Sequence, residues 1–361
     1  EDPELELQII VTGMHLSPEF GLTYKVIEND GFTIDARVEM LLSSDTPVGI
    51  AKSMGLGVIG FADALDRLKP DILVLLGDRF ETLAAAQTAL VARVPMAHLF
   101  GGDTTEGAFD EAIRHSISKM AHIHFVSHDD AARRVKQLGE NPEHIHLVGS
   151  TGLDQVRKLH LLDRSALEEE LDFSFRKRNL LVTFHPATLE GECPEAQFGE
   201  LLLALGRFDP EIGVIFTKPN ADTSGRILIK MIGDFCQTHA HAKAFTSLGQ
   251  LRYLSAMAQV DAVVGNSSSG LYEAPSFKVP TVNIGDRQKG RLQAASVINC
   301  VVEASAIEDG IRKALDLDCR QVVNPYGDGH SSEKIVEVLK AIDLGASLLK
   351  KTFFNWGSDQ V

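Results

Sequence analysis

Short apolar runs alternate with longer helix-compatible stretches along almost the whole chain, and this alternation constrains the fold more than any other feature. Runs that read as buried parallel strands fall at residues 8–11, 71–76, 96–100, 122–126 and 144–148, then at 180–184, 212–216, 262–264, 281–284 and 298–302. Stretches suited to helices lie between them, among them 48–68, 81–92, 111–121 and 129–138. Strands that are apolar throughout, joined by helical crossovers, imply parallel sheets covered on both faces. The expected class is therefore α/β, with two doubly wound domains. The pattern breaks at residues 161–177, where 163–171 is charged and helix-prone and 173–178 is basic and irregular. Boundaries follow at 1–165 and 166–343, leaving an amphipathic tail, 344–361, that ends in Phe353, Phe354 and Trp356 and is expected to pack on a neighbouring surface.

With 361 residues the chain is long enough for two cores. Its net charge of -15 argues against a sequence-independent nucleic-acid binder and against docking on an anionic membrane. It leaves room for a small anionic ligand, whose site is set by a few arginines and helix ends. Cys193, Cys236, Cys300 and Cys319 are widely spaced and form no C-x-x-C pair, which fits reduced thiols in a cytoplasmic protein. No apolar run is read as approaching a membrane span, and no signal peptide opens the chain.

In open parallel sheets, ligands bind beyond the C-terminal ends of strands. Polar groups stand at several of those ends here. Gly77-Asp78-Arg79, with Glu81 behind, is either an acid or base beside an anion clamp, or a helix cap with an arginine on its surface. Gly101-Gly102-Asp103 is followed by Glu106, Asp110, Glu111, Arg114 and His115; the last three of these share a helical face. Carboxylates gathered in one cleft split their pKa values and so supply an acid and a base together. Asp110 is also a ready helix cap. His185-Pro186 suits anion contact or proton transfer, or is a structural histidine before a turn. Lys218, Asn220 and Asp222 close the next strand.

Residues 265–270, Gly-Asn-Ser-Ser-Ser-Gly, then link a short strand to a helix-prone segment. Small residues, hydroxyls and the unpaired N–H groups of a helix start make a phosphate-holding loop, and the same residues also make a plain helix cap. Glu273, one turn on, is placed to accept hydrogen bonds from ribose hydroxyls, and Asp286, Arg287, Gln288 and Arg291 follow the last strand of the set. The pairs His122/His124 and His144/His146 have strand spacing, but no carboxylate or cysteine completes a metal set, so no metal is expected.

Taken together the motifs resemble the hydrolysing UDP-N-acetylglucosamine 2-epimerases. The resemblance rests on Val11-Thr12-Gly13-Met14-His15, Gly77-Asp78-Arg79, Asp110-Glu111 with Arg114-His115-Ser116, His185-Pro186, Asn220 with Asp222, Gly265-Asn266-Ser267-Ser268, Gly285 with Arg287-Gln288, and Tyr326-Gly327-Asp328-Gly329. It implies two Rossmann-like domains of the GT-B type, with a UDP-sugar in the interdomain cleft. It also implies elimination of UDP with loss of the C2 proton, then hydration of the glycal to a free 2-epimeric sugar, with no cofactor. On this resemblance the acid/base groups fall to Asp78 and Asp110, with Asp103, Glu106, Glu111 and His185 as further candidates. The UDP site falls to His185, Asn220, Ser267, Ser268, Glu273 and Arg287, with Arg79 near the diphosphate, and His15, Arg114 and Asp222 complete the UDP-sugar contacts. A cytoplasmic homo-dimer or homo-tetramer is implied as well.

Two departures stand out. Many members read His-x-Glu-Gly-Gly-Glu where this chain has His98-Leu99-Phe100-Gly101-Gly102-Asp103. Phe100 replaces the first glutamate, so its role passes to Asp103 or Glu106, or a different sugar is handled. UDP-N-acetylglucosamine is the first expectation for substrate. UDP-2,4-diacetamido-2,4,6-trideoxyglucose is the second, since Phe100 fits a sugar with more apolar substituents. Members also open with a strand and a Gly-x-Arg-Ala-(Asp/Glu)-Tyr-Gly loop, so one more strand–loop–helix unit is expected upstream of Glu1. A glycosyltransferase of the same architecture, a non-hydrolysing epimerase and a noncatalytic UDP-sugar sensor are the competing readings.

Overall fold

The computed structural model describes residues 2–44, 46–104, 110–185, 193–208, 210–218 and 223–355, with the side chains of 223–226 excepted. The chain divides into two compact units, residues 1–150 with 330–361, and residues 151–329.

The second unit is built on six strands: β7 (Arg178–Thr183), β8 (Ile212–Thr217), β9 (Ala242–Phe245), β10 (Ala262–Gly265), β11 (Thr281–Ile284) and β12 (Val297–Cys300). All pair in parallel, in the order β12-β11-β10-β7-β8-β9. Read from the other edge, this is the 3-2-1-4-5-6 order of a Rossmann sheet. The chain starts in the middle at β7, winds out through β8 and β9, and returns to β10 on the opposite side of β7. The order therefore reverses between β7 and β10, where Thr183 is in register with Gly265.

Alternation along each strand feeds two cores. Leu180, Val182, Val214, Phe216 and Val264 meet Phe198, Leu201, Leu228, Ile232, Ile307 and Ile311 from the helices Pro194–Leu205, Thr223–Thr238 and Ala304–Asp316. Leu181, Ile215 and Val263 point the other way, onto Leu167, Leu171, Ala256 and Met257 of Arg164–Leu171 and Gly249–Gln259. With both faces covered, most strand positions are apolar, which is why these runs read as largely apolar.

In the first unit β1 (Ile10–Thr12) pairs in parallel with β2 (Ala36–Val38). A separate parallel sheet has the order β3 (Leu73–Leu76), β4 (Met96–Leu99), β5 (Ile123–Val126) and β6 (Ile145–Leu147). Alanines 84–86 and 89 let the helix Phe80–Ala92 lie close to the helix Pro47–Leu68 and to Leu75 and Met96. The opposite face, with Ala97, Leu99, Ile123 and Phe125, is covered by Ile335, Val338, Leu339 and Leu348.

That last contact explains a difference from the expected boundaries. The helices Ser331–Ala341 and Ala346–Leu349 cap the first sheet, so the units divide at 150/151 and 329/330 rather than at 165 and 343. The tail continues over the same unit: Phe354 donates its backbone N–H to the Gly139 carbonyl at 2.8 Å, and Lys351 binds Glu140 at 2.7 Å. Trp356 lies outside the described residues. Two strands escaped the sequence reading, β2 because it is three residues with a central arginine, and β9 because it is an edge strand with a lysine in it. The membrane expectation is also corrected. Pro47–Leu68 is long and apolar enough to cross a bilayer by length and composition, although its inner side packs on β2 and on Phe80–Ala92.

Candidate functional site

In the first unit the strand ends converge on one arginine. Arg114, on the helix Asp110–Met120, has a side chain only 6% exposed. Its Nη2 donates to Asp78 Oδ2, and its Nη1 donates to Glu111 Oε2 at 2.7 Å and to the backbone oxygen of Asp103 at 2.8 Å. One buried guanidinium thus draws together the loop after β3, the loop after β4 and the helix that follows. His115 Nε2 binds the second oxygen of Glu111 at 3.0 Å, so Glu111, Arg114 and His115 share the face their spacing implied. Asp78 does not cap a helix. The cap position before Phe80–Ala92 is Arg79, which makes no side-chain cap.

Two histidines absent from the sequence-derived set hold this arrangement in place. His98 is fully buried and bridges Gly77 O at 2.9 Å and Ser118 Oγ at 3.0 Å. A carbonyl can only accept, so the proton lies on Nε2 and Ser118 donates to Nδ1. Burial lowers the His98 pKa to about 4, which keeps the ring neutral at pH 7. His128 takes the backbone N–H of Ala131 on Nδ1 and therefore donates from Nε2 to Asp103 Oδ1 at 2.7 Å. The available signal was position: each lies on a strand or just past its end, beside an acidic loop.

The loop after β4 is geometrically demanding. Phe100 sits at φ 64, in the left-handed region that bulky residues avoid. Gly102 follows at φ 83, where a side chain would run into the Ala131 carbonyl. The Phe100 ring packs on the apolar cluster of Leu99, Phe125, Ile335 and Leu348. It therefore lends no support to the expectation that Phe100 selects a more apolar sugar. Glu106 lies outside the described residues, and Asp110 opens its helix half-buried.

Arg79 is half exposed and binds buried Glu81 through Nε at 3.3 Å. Gly13, at φ 62, packs directly on Glu81: a Cβ there would lie 2.7 Å from Glu81 Cγ. The Thr12-Gly13-Met14 turn is thereby held against the Arg79–Glu81 pair. His15 is exposed and binds Thr23 Oγ1 at 2.7 Å, and no hydrogen bond joins it to the carboxylates among the described residues.

In the second unit the polar residues gather where the strand order reverses. Asn266, 1% exposed, accepts the His185 N–H on Oδ1 at 2.7 Å and donates Nδ2 to His185 O at 2.8 Å. Its own carbonyl accepts from Arg287 Nη1 at 2.9 Å and Gln288 Nε2 at 2.8 Å. One buried amide therefore ties together the ends of β7, β10 and β11. Gly265 must be glycine, because it holds φ 137 and a Cβ would land on the Thr183 carbonyl oxygen.

Ser267 and Ser268 stay half-buried at the surface of this knot. Ser269 Oγ donates to Ser267 Oγ at 3.1 Å and is itself bound by Tyr253, a residue the sequence reading did not single out. The helix expected after the loop is only Ser269–Tyr272, followed by a 3-10 turn at Ala274–Phe277. One turn carries little macrodipole, so an anion here depends on hydroxyls, backbone N–H groups and Arg287. Asn220 and Asp222 lie outside the described residues.

Glu273 is the least satisfied group of the set. Its Oε2 is buried without a hydrogen-bond partner, and burial raises its carboxyl from an ordinary 4.5 to about 7. A buried carboxyl with a vacant acceptor is suited to a hydroxyl-bearing ligand. The raised pKa has a stability consequence of definite sign. Between pH 4.5 and 7 the folded state holds a proton that the unfolded state releases, so stability is lost as pH rises through that window. The loss has an upper limit of about 3 kcal/mol. Urea titrations at pH 5 and pH 7.5 are expected to show this slope in the unliganded wild type and a flatter profile in Glu273→Gln. Equal slopes would assign the pH dependence to other groups.

Comparison with known proteins identifies the family. Residues 1–340 match the family described as UDP-N-acetylglucosamine 2-epimerase. The chain is 44% identical over 299 residues, 82% of this chain and 77% of the relative, to the GDP/UDP-N,N'-diacetylbacillosamine 2-epimerase (hydrolyzing) of Campylobacter jejuni. It is 37% identical over 344 residues, 94% of this chain and 88% of the relative, to polysialic acid biosynthesis protein P7 of Escherichia coli. With the UDP-N,N'-diacetylbacillosamine 2-epimerase (hydrolyzing) of Legionella pneumophila, identity is 34% over 351 residues, 97% of this chain and 92% of the relative. Among solved structures, the UDP-GlcNAc 2-epimerase of Neisseria meningitidis shares the fold with a TM-score of 0.75 at 18% identity, covering 93% of this chain and 92% of that one. With this family match, these relatives and two α/β units of parallel sheets in hand, the chain belongs to the UDP-N-acetylglucosamine 2-epimerase family of enzymes.

Proposed function

We propose that this enzyme is a hydrolysing 2-epimerase acting on UDP-N,N'-diacetylbacillosamine, the 2,4-diacetamido-2,4,6-trideoxyglucose ester of UDP, in the cytoplasm. The observation that carries the reaction type is the gathering of Asp78, Asp103 and Glu111 around buried Arg114. Sugar C2–H is a weak acid, so a placed carboxylate must take its proton while the anomeric C–O bond breaks. The C2–H bond supplies the electrons of the new C1–C2 double bond, and the anomeric oxygen leaves as UDP. Water then adds across the glycal, its oxygen to C1 and a proton to the opposite face of C2, which gives the free 2-epimer.

In this reading Asp78 and Asp110 move the protons, and His128 keeps the Asp103 carboxylate oriented. Arg287, Ser267 and Ser268 stabilise the leaving diphosphate, as charge developing on a leaving group requires. Glu273 accepts from the ribose hydroxyls. All four cysteines are free thiols, which suits a reducing compartment.

The choice of sugar reverses the order expected from the sequence, and its support is the naming of the Campylobacter and Legionella relatives. UDP-N-acetylglucosamine remains the second reading, favoured by a Neisseria meningitidis UDP-N-acetylglucosamine 2-epimerase 30% identical over 340 residues. Proton NMR in deuterium oxide tests both sugars, together with the GDP ester of the diacetamido sugar. The expected result is free UDP and a free 2-epimer carrying deuterium at C2, formed at least about tenfold faster from the UDP-diacetamido sugar, the discrimination that about 1.4 kcal/mol of transition-state binding supplies. Faster turnover of UDP-N-acetylglucosamine would overturn the choice of sugar. An epimer still attached to UDP would overturn the hydrolysing reaction.

A further inference from the structure

Five hydroxyl groups run in file along the C-terminal ends of the strands in the second unit. Thr217 ends β8, Thr183 ends β7 in register with it, Tyr253 comes from the helix Gly249–Gln259, and Ser267 and Ser269 follow β10. Thr217 Oγ1 and Thr183 Oγ1 lie 2.6 Å apart. Thr183 is hydrogen-bonded to the Tyr253 hydroxyl, which is bonded in turn to Ser269 Oγ. Ser269 Oγ reaches Ser267 Oγ at 3.1 Å. The file thus crosses from β7 to β10, where the strand order reverses and a doubly wound sheet holds its ligand.

Each hydroxyl has a single proton to give, and that fixes the direction of the file from its last link backwards. Ser269 spends its proton on Ser267. The bond between Tyr253 and Ser269 must therefore use the phenol proton. Tyr253 then has none left for Thr183, so Thr183 donates to Tyr253, and by the same count Thr217 donates to Thr183. Burial raises the Tyr253 pKa above its ordinary 10, which keeps the phenol a donor at neutral pH. Ser267 stands at the head of the file. Its oxygen accepts from Ser269 Oγ and from the Ser269 backbone N–H at 3.4 Å, and no acceptor among the described residues takes its own proton.

We propose that Tyr253 is a positioning residue for the leaving group: with Thr217, Thr183 and Ser269 it forms a one-way chain of donors that turns the Ser267 proton outward, onto a diphosphate oxygen. The proposal rests on the UDP-sugar reading of the serine loop. Without the phenol, Ser269 is free to accept from Ser267 instead. The Ser267 proton would then point into the protein and its lone pairs toward the anion. A chain polarised in one direction also strengthens its last donor. A donor already oriented needs no reorganisation as charge grows on the leaving oxygen.

Calorimetry with UDP on the full chain tests this through a double-mutant cycle. Tyr253→Phe removes one oxygen and keeps the ring, and it is expected to weaken UDP binding about fivefold. Ser267→Ala is expected to weaken it about tenfold, near the worth of one hydrogen bond to a charged group. Adding Tyr253→Phe to Ser267→Ala should cost less than about twofold more, since the chain has lost the group it orients. Uridine, which carries no phosphate, should bind Tyr253→Phe within about twofold of wild type by ligand-observed NMR. Farther along the chain, Thr183→Val should weaken UDP binding about threefold. Thr183→Ser, which keeps the hydroxyl, should recover most of that loss. Circular dichroism and a thermal melt check that each variant is folded, and if Tyr253→Phe fails to fold, the two Thr183 variants decide the question.

Four results would each overturn the proposal: UDP affinity within about twofold of wild type in folded Tyr253→Phe, the full loss persisting in the Ser267→Ala background, an equal loss for uridine, or no recovery by Thr183→Ser. UDP binding does not depend on which sugar is turned over or on how it leaves, so these results are separate from the choice of substrate. A wild type that fails to bind UDP would overturn the UDP-sugar reading itself, and the role of the chain with it.

Discussion

Asp78→Asn is expected to lower turnover of the UDP-sugar by about 10³-fold, within the span of 10² to 10⁴ that a placed general acid or base contributes. Asparagine keeps the shape of the side chain and one oxygen for Arg114 Nη2, so the loop after β3 stays where it is. What disappears is the negative charge and with it the capacity to hold a proton during the reaction. The loss should appear in kcat, while UDP affinity measured by calorimetry stays within about threefold, a change of under 1 kcal/mol. The same split is expected for Asp110→Asn. Turnover within tenfold of wild type would remove Asp78 from the chemistry and leave it as a structural partner of Arg114. Equal loss of UDP affinity and turnover would instead make Asp78 a binding residue.

Arg114→Met carries the largest expected cost in stability, about 3–5 kcal/mol, the range seen when one member of a buried ion pair is removed. Methionine fills much of the same volume, so the penalty comes chiefly from charge. Asp78 and Glu111 lose their shared cation, and the Asp103 carbonyl loses its donor. Arg114→Lys should recover little, because a single ammonium cannot span three acceptors that a planar guanidinium reaches with two nitrogens. Urea unfolding followed by circular dichroism measures this. A change under 1 kcal/mol would show that solvent or a neighbouring cation replaces Arg114 and that it is not the hub of the acidic group.

Both predictions concern a cluster that was only half legible in the chain. Asp78, Asp103, Glu111 and Arg114 could be picked out because each follows a parallel strand or starts the next helix, and strand ends are where such sheets present side chains. Their common partner could not. Residues 78 and 114 are 36 positions apart, and nothing local says that one guanidinium serves three backbone segments. His98 reads as an ordinary apolar-strand residue, yet the turn of Gly77 depends on its Nε2–H. Asn266 shows the reverse. Its motif pointed to a ligand, but the structure occupies both ends of its side-chain amide with His185 and its carbonyl with Arg287 and Gln288. It shapes the loop and leaves the hydroxyls of Ser267 and Ser268 for an anion.

Local physics sufficed for the alternation of strand and helix and for parallel sheets buried on both faces. Each of these depends on periodicity, which neighbouring residues already express. Tertiary packing alone decided that the chain after Gly329 returns to cover the first sheet. It also decided that Glu273 is deprived of water and partners, and that a 22-residue apolar helix keeps a face in solvent. Burial is a property of what distant segments pile against one another. A carboxyl's proton affinity and the enclosure of a helix follow from that arrangement, and no window of sequence contains it.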